Sequence, residues 1–451
     1  MIIPLMEAVA DTCGGKAGTL GALLRAGLPV PDGFVVPFAA YRAAVGDLEL
    51  GRPDDLAAAR QAIAARPLHA TVIDALGRGL GRLGDPPVAV RSSAAGEDTG
   101  QASAAGQHES FLAVHGAGEV AVAVRACWAS LLSPRAIAYR GDERASAAPV
   151  MAVIVQRQVD AEVSGVMFTP SGPDVATEIE ASWGLGPSVV GGTVTPDAYR
   201  VARDGTVTRT IADKRTRLDR RGTRLAVRDV PARDRSRPAL DDATATRLAS
   251  LGEEIATVLG GPQDIEWAIA GGRTWILQAR PITAAPPRRP SPPDVPAGAG
   301  TGTPGIPAGA HTGTPGIPAG THTGTPGIPA GTHTGTPGIP AGTHTGTPGS
   351  RGTATGRARI VRGPGDFARV QPGDILVCPF TDPAWTPLLR IAGGVVTETG
   401  GVLSHAAIVA REQAIPAVLG IPGATRALHD GTLITIDGTT GTVTTIDQTS
   451  A

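Results

Sequence analysis

Residues 396–412 read VTETGGVLSHAAIVARE, in which an apolar strand and two glycines precede His405 at the predicted start of a helix over 405–412. The positive end of a helix dipole favours negative charge, so it would stabilise a phosphoryl group attached to the imidazole. Neutral imidazole is nucleophilic near pH 7 and attacks phosphorus without a strong base. A lone histidine at a helix start is usually a cap or packing residue, but these glycines leave space for an incoming nucleotide. The segment therefore predicts a phosphohistidine site.

The sequence around His405 has the pattern of a small α/β domain. Strand-like runs occupy 374–378, 394–397 and 432–436, with a turn after the last of them. We interpret residues 351–451 as one compact unit. A histidine on a small separate unit is typical of a swivelling domain that carries a group between two sites.

The residues before this unit, 291–350, form a low-complexity segment with the eleven-residue repeat TGTPGIPAGTH. A folded solenoid repeat needs a hydrophobic face, but each copy has a single isoleucine. We therefore predict a linker that tethers the swivelling unit. The repeat histidines could bind a metal, but their spacing in a tether gives no preorganised site, so a spacer is the favoured interpretation. Full copies begin at Thr301, Thr312, Thr323 and Thr334, and a truncated copy begins at Thr345.

Residues 1–290 have the pattern of a larger mixed α/β domain. A hairpin is predicted to join 197–203 to 206–211 through an Asp-Gly turn. The fold class that follows is α/β (α+β), with a large first domain, a linker and a small second domain. Other predicted helices lie at 16–25, 53–65, 69–83 and 117–131. Other predicted strands lie at 87–92, 150–156 and 163–169.

Two motifs in the first domain are suited to holding phosphate. Gly14-Gly15-Lys16-Ala17 opens a helix, so backbone N–H groups and the Lys16 charge would face a bound phosphate. The spacing is not that of a Walker A loop, and an ordinary helix entry is the alternative. The run VAVRSSAAGED is predicted to end a strand at Arg91, whose guanidinium suits phosphate, with a structural ion pair as the alternative. The small residues after Arg91 predict a loop that closes over a nucleotide.

A predicted hairpin over residues 263–283 brings a carboxylate and an amide together. A three-residue loop at Gly271-Gly272-Arg273 would set Glu266 directly opposite Gln278, on the face that also carries Arg280. Such a face suits a magnesium-bound triphosphate. A two-residue loop would instead split the pair across the sheet, and a polar face turned to water is the alternative.

Composition excludes several classes of protein. Forty basic and 41 acidic residues leave a formal net charge of -1, which gives no broad field for nucleic acid or an anionic membrane. Three dispersed cysteines argue against a disulfide framework and a Cys-rich zinc site. We find no signal peptide pattern and no long apolar run, so we expect a soluble, cytoplasmic protein that acts on small molecules.

The motifs together resemble the dikinase family that includes phosphoenolpyruvate synthase, pyruvate phosphate dikinase and rifampicin phosphotransferase. GGKAGTLGALLRAGLPVPDGFVV, VAVRSSAAGED and QDIEWAI with ILQARPIT are similar to its ATP-grasp-like nucleotide domain. TETGGVLSHAAIVAREQAIPAVLG is similar to its phosphohistidine mobile domain. The resemblance covers nearly the whole chain outside the linker.

The resemblance implies ATP and Mg²⁺ as ligands, with the metal held by Glu266 and Gln278. It implies that His405 takes the β-phosphoryl group of ATP, with release of AMP and, after hydrolysis of the terminal phosphate, inorganic phosphate. The implied ATP contacts are Lys16, Arg91, Gly106, Ser110, Gln156, Glu266, Gln278 and Arg280.

Family members also carry an acceptor-binding domain, either a barrel for pyruvate or phosphoenolpyruvate or a helical antibiotic-binding domain, and no stretch here resembles either. We therefore expect the acceptor site to come from a partner protein or from a cleft between the two domains. The expected function is ATP-dependent phosphoryl transfer to a pyruvate-like acceptor. Open alternatives are an antibiotic or secondary-metabolite phosphotransferase, a phosphocarrier or nucleotide sensor without turnover, and a degenerate copy that only binds ATP.

Overall fold

The structure is a computed structural model that describes residues 2–46, 56–96, 109–133, 136–137, 149–172, 175–283 and 342–446. Gly106, one of the expected ATP contacts, and the predicted linker up to residue 341 lie outside these residues. We call the described residues up to 283 the first module and residues 342–446 the second module. Both modules belong to one compact unit, so contacts between them are part of the fold.

A five-stranded antiparallel sheet forms the first half of the first module, in the order β1-β2-β5-β3-β4. Phe34, Leu76 and Trp128 lie in the core that its strands and helices enclose. The predicted elements of this half are confirmed, except that the first helix begins at Ala10, six residues before its predicted start, and residues 53–55 of the predicted helix 53–65 lie outside the described residues. Its strands are β1 Ile3–Pro4, β2 Gly33–Val36, β3 Val88–Ala94, β4 Ser110–Val114 and β5 Met151–Arg157. Its helices are Ala10–Arg25, Phe38–Val45, Leu56–Ala65, Ala70–Leu83 and Gly116–Ser130, with a 3₁₀ helix at Leu5–Glu7.

A six-stranded antiparallel sheet forms the second half, in the order β13-β12-β6-β7-β8-β9. The strands β10 and β11 form a separate two-stranded ribbon. The predicted hairpin around Asp204-Gly205 is confirmed as β8 and β9. The strands are β6 Val163–Phe168, β7 Thr177–Trp183, β8 Asp197–Val201, β9 Val207–Thr210, β10 Thr216–Arg221, β11 Arg224–Asp229, β12 Gln263–Ala270 and β13 Arg273–Pro281. The helices are Pro187–Val190, Ala232–Arg235 and Asp242–Leu259.

The helix Ala10–Arg25 connects the two sheets, because it packs against β3 and β5 of the first and β13 of the second. Gly14 interrupts it with a φ of 80°. A side chain at Gly14 would overlap the backbone carbonyl of Ser93, so both the kink and the close approach require glycine. Regular helix resumes after the kink, at the predicted phosphate-binding position of Lys16.

An eight-stranded sheet forms the second module, in the order β14-β21-β20-β16-β17-β18-β19-β15. The middle strands β16 to β19 run parallel, and β18 leads into the helix His405–Glu412, as predicted. Its strands are β14 Thr343–Thr345, β15 Thr347–Ser350, β16 Thr353–Ile360, β17 Ile375–Cys378, β18 Gly394–Thr397, β19 Ala417–Leu419, β20 Leu433–Asp437 and β21 Thr442–Thr445. The other helices are Thr386–Leu389 and Ala424–Ala427, with 3₁₀ helices at Pro364–Arg369 and Pro383–Trp385.

The end of the predicted linker belongs to this sheet. Residues 343–345 pair with β21, and residues 347–350 pair with β19. The prediction that the linker extends to residue 350 is therefore wrong for its last residues, because β21 and β19 supply the hydrogen-bond partners that the repeat lacks by itself. Within the described part of the chain, no helix combines the length and the apolar character needed to cross a bilayer.

Candidate active site

A cleft of about 600 Å³ in the first module gathers the predicted ATP-binding residues. Every one of them that the structure describes lines this cleft: Lys16, Arg91, Ser110, Gln156, Glu266, Gln278 and Arg280. The cleft also has apolar walls, which include Ala89, Phe111, Leu112, Leu185 and Leu277. A mixture of apolar walls and convergent charged groups is typical of a pocket for a nucleotide-sized ligand.

The hairpin of β12 and β13 sets Glu266 directly opposite Gln278. The turn is the two-residue Gly271-Gly272, both with positive φ, so the shorter of the two loops considered for this hairpin is present. A β-bulge restores the pairing, because Glu266 pairs with Gln278 whereas Trp267 pairs with Ile276, and Leu277 is the extra residue. The expected shared face of carboxylate and amide is therefore present, but a bulge produces it instead of the loop.

Arg91 crosses from the first sheet to this hairpin. Its Nη2 donates to Gln278 Oε1 at 2.6 Å and lies 3.5 Å from Glu266 Oε2, and its Nη1 donates to the carbonyl of Leu277. Arg91 lies in the middle of β3, so the expectation that the strand ends there is wrong. Its side chain is 13% exposed, which leaves it open to the cleft while its fork joins the two sheets.

Glu266 and Gln278 form an oxygen donor pair that fits Mg²⁺. Magnesium usually takes one or two protein carboxylates together with phosphate oxygens and waters, and it rarely binds in an all-protein cage. The two side chains meet at the guanidinium of Arg91, within the cleft that a triphosphate would enter.

The other cleft residues come from neighbouring strands. Ser110 begins β4 and pairs with Arg91 across the sheet. Gln156 is buried near the end of β5, where its Nε2 donates to the carbonyl of Pro31 at 3.0 Å. Arg280 is buried on β13, and its Nε and Nη2 lie 2.9 and 2.7 Å from Asp264 Oδ2. Asp264 therefore fixes the orientation of the Arg280 guanidinium, a role that the sequence analysis did not assign.

His405 lies at the start of the helix His405–Glu412 and is 4% exposed. Its Nδ1 lies 3.0 Å from Thr381 Oγ1. Its Nε2 is buried, and no hydrogen-bond partner for it exists among the described residues. Burial, and then the positive charge of Arg280, lower the pKa of His405 to about 4. The imidazole is therefore neutral at pH 7, and its second nitrogen is unoccupied.

The loop before His405 docks on the first module. The backbone N–H of Leu403 donates to Glu180 Oε2 at 3.2 Å, and Thr399 Oγ1 donates to the carbonyl of Gly192 at 2.6 Å. A side chain at Gly401 would overlap the Glu180 carboxylate, so this glycine allows the close approach. An apolar cluster shared by both modules surrounds these contacts: Val166, Phe168, Val189, Val194, Val402, Leu403 and Ile408.

Two positioning residues were missed by the sequence analysis. Glu180 is 3% exposed in β7, whose sequence TEIEASW also contains the acidic Glu178, so the strand pattern alone did not single out Glu180. Thr381 follows β17 and gave no local signal, since only the folded chain brings it to His405. Pro383, two residues further, lines the cleft, so this second-module loop reaches the predicted nucleotide site.

Two family models match the chain. The model described as pyruvate phosphate dikinase, AMP/ATP-binding domain, matches residues 10–295. The model described as PEP-utilising enzyme, mobile domain, matches residues 370–441. The first match contains all the cleft residues predicted above, and the second contains His405.

Curated relatives match across both regions. The probable phosphoenolpyruvate synthase of Methanothermobacter thermautotrophicus is 35% identical over 95% of this chain and 61% of its own length. The phosphoenolpyruvate synthases of Pyrococcus furiosus and Escherichia coli are each 32% identical, over 95% and 96% of this chain and 56% of their own lengths. The chain thus spans somewhat more than half the length of these relatives.

Proposed function

The chain belongs to the pyruvate phosphate dikinase and phosphoenolpyruvate synthase family, and on that premise we propose that it is an ATP-dependent phosphotransferase that uses His405 as its phosphoryl carrier. The observation that carries the proposal is the docked state of His405. A neutral imidazole with an unoccupied, buried Nε2 contacts Thr381 through its Nδ1, and Pro383, two residues after Thr381, lines the cleft. A nucleophile next to a nucleotide-sized cleft is the arrangement that phosphoryl transfer requires.

The nucleophilic atom in this proposal is Nε2. When Nδ1 carries the proton and donates to Thr381 Oγ1, the lone pair of Nε2 is available for attack. A bond forms between Nε2 and the β-phosphorus of ATP while the bond from that phosphorus to the oxygen it shares with the α-phosphorus breaks. AMP leaves with that oxygen, and the β- and γ-phosphoryl groups stay on His405. Water then removes the γ-phosphoryl group as inorganic phosphate.

The cleft residues bind and orient the triphosphate in this scheme. Arg91 and Arg280 present guanidinium groups to developing negative charge, and Lys16 adds a point charge at the resumed helix. Glu266 and Gln278 would hold Mg²⁺, which would neutralise phosphate charge when bound. The docked second module limits the access of water, since His405 is almost fully buried there.

The second half-reaction requires the second module to leave the cleft. A phosphorylated ring that is only 4% exposed is out of reach of another substrate while the nucleotide site is closed over it. We propose that residues 284–341 connect the two modules as a tether for this movement. Pyruvate is the proposed acceptor, with phosphoenolpyruvate as product, because the relatives are named phosphoenolpyruvate synthases. A cytoplasmic location is proposed because the three cysteines are free and buried.

Product analysis tests the proposal. We expect Mg²⁺ and ATP to give AMP instead of ADP, and we expect His405→Ala to abolish AMP formation while nucleotide still binds. Without an acceptor, we expect one AMP to form per chain. Added pyruvate should allow AMP to form continuously, together with phosphoenolpyruvate. A single AMP per chain with every acceptor would identify a phosphocarrier, and ADP formation that survives His405→Ala would refute the proposal.

A further inference from the structure

Residues 341–349, AGTHTGTPG, join the end of the copy that begins at Thr334 to the truncated copy that begins at Thr345, and we call them the last copy. From Gly342 onward, the last copy closes the sheet of the second module. In this sheet β14 is hydrogen-bonded to β21 and β15 to β19, so one short segment covers both outer strands. Without it, β21 and β19 would present unpaired backbone groups at two edges. Arg411 of the His405–Glu412 helix also donates to the carbonyl of Gly349 at 2.9 Å. The segment is therefore an integral part of the module that carries the phosphohistidine.

The surface of β19 and β21 that the last copy covers requires glycine at three positions of this segment. Gly342 has a φ of 93°, which favours glycine. A Cβ at Gly346 would lie 2.5 Å from the carbonyl oxygen of Leu419, and a Cβ at Gly349 would lie 2.8 Å from the Leu419 side chain. This surface thus accepts the pattern Gly-x₃-Gly-x₂-Gly and excludes larger residues at the three glycine positions.

The preceding copies contain the same pattern. Residues 341–349 read AGTHTGTPG, and residues 330–338 and 319–327 have the identical sequence. Every residue that pairs with β21, and the first residues that pair with β19, therefore have an exact counterpart eleven and twenty-two positions earlier. We propose that β19 and β21 form a binding site for the repeat itself, and that residues 330–338 of the same chain exchange with residues 341–349 in this site.

The last copy is the preferred occupant. After Gly349 the copies diverge, since Ser350 is buried opposite Ala417, whereas the copy before has Ile339 at the corresponding position. The last copy also continues directly into β16, with the carbonyl of Gly352 accepting from the N–H of Gly438 at 2.9 Å. Exchange by one copy removes eleven residues from the chain between the modules. This shortens its extended reach by about 36 Å, so the repeat sets the reach of His405 in steps.

Disulfide trapping in the full chain tests this proposal. The Oγ1 atoms of Thr343 and Thr444 are 3.4 Å apart, so cysteines at these two positions serve as the reference pair. Thr332→Cys with Thr444→Cys is the test pair, and Ile339→Cys with Thr444→Cys is a control at a position out of register. The three native cysteines are buried, which keeps the background low. We expect the test pair to oxidise within one chain on the order of tenfold faster than the control pair.

A fourth variant blocks the preferred occupant. Gly346→Val should overlap the Leu419 carbonyl, so it should slow the reference pair several-fold and accelerate the test pair by a similar factor. If Gly346→Val unfolds the second module, the oxidation rates of the test and control pairs in the chain without this substitution still test the proposal. Equal oxidation rates for the test and control pairs would overturn the proposal. Disulfides that join two chains instead of closing one would overturn its assignment of the occupant.

Discussion

The cleft and His405, the proposed phosphoryl carrier, are positioned by different means. Sheet register holds the cleft residues, since Glu266 is paired with Gln278 and Arg91 bridges the two sheets. His405 is held by a docking interface, in which Leu403 donates to Glu180 and a shared apolar cluster surrounds the contact. Folding of the first module therefore fixes the cleft, whereas the proposed movement of the second module would make the position of His405 depend on a docking equilibrium. Substitutions should accordingly separate nucleotide binding from phosphoryl transfer.

The largest expected effect comes from the nucleophile. We expect His405→Gln to lower AMP formation on the order of 10³-fold or more, because the bond-forming atom is lost. Nucleotide affinity, measured by isothermal titration calorimetry, should stay within about twofold because His405 lies outside the cleft lining. Loss of affinity comparable to the loss of AMP formation would remove the distinction between the two regions.

The next effect concerns the cleft. Arg91→Lys keeps the charge but loses the fork that reaches Gln278 and Leu277, so we expect nucleotide affinity to fall about 10- to 100-fold. Arg200→Lys is a matched control, since Arg200 pairs with Glu178 at a partly exposed position outside the cleft lining. Unchanged affinity in the Arg91 variant, with normal folding by circular dichroism, would contradict the proposed role of this residue.

Docking of the second module should depend on the Glu180 carboxylate. We expect Glu180→Gln to slow labelling of His405 about tenfold without changing nucleotide affinity, because a hydrogen bond to a buried charged group is weakened. Glu178→Gln on the same strand is the control, since the Glu178 carboxylate faces Arg200 instead of the His405 loop. Rapid-quench measurement of labelled protein checks the prediction, and equal rates for the two variants would argue against the interface.

The docked state should weaken as pH falls. The pKa of His405 is about 4 when docked, against an ordinary value of 6.5, so the undocked ring binds the proton more readily between these values. The contribution of neutral His405 to the stability of the docked state is fully present above pH 6.5 and is lost progressively as the pH falls toward 4. At pH 5.5 we expect docking to be about tenfold weaker than at pH 7. Hydrogen exchange of residues 396–412 checks this, and the dependence should be absent in His405→Gln.

Local pattern predicted much of the fold and much of the cleft. The helix at His405, several strands in each module and the convergence of Lys16, Arg91 and Glu266 followed from periodicity, from turn residues and from the family resemblance. The bulge at Leu277 did not, because one extra residue in a strand leaves no mark in an apolar sequence. The pairing of Glu266 with Gln278 was expected only for a three-residue loop, and the structure instead achieves it with a two-residue turn and a bulge.

Contacts between distant segments could not be predicted from the sequence. Glu180 and Thr381 act on the His405 loop across long stretches of chain, and neither has a local motif. The final repeat copy was predicted as linker because its own residues offer no core. It becomes strand only because β19 and β21 present two open edges. Residues whose role depends on a partner element are the ones that periodicity misses.

We propose that the docked His405 takes the β-phosphoryl group of a nucleotide bound in the cleft, and positional labelling tests this transfer most directly. The protein is mixed with Mg²⁺ and ATP labelled at either the β- or the γ-phosphorus and quenched after one turnover, and labelled peptides are mapped by mass spectrometry. We predict that β-label remains on His405 in acid-labile form while γ-label appears as inorganic phosphate. Retention of γ-label on the protein together with release of ADP would contradict the account.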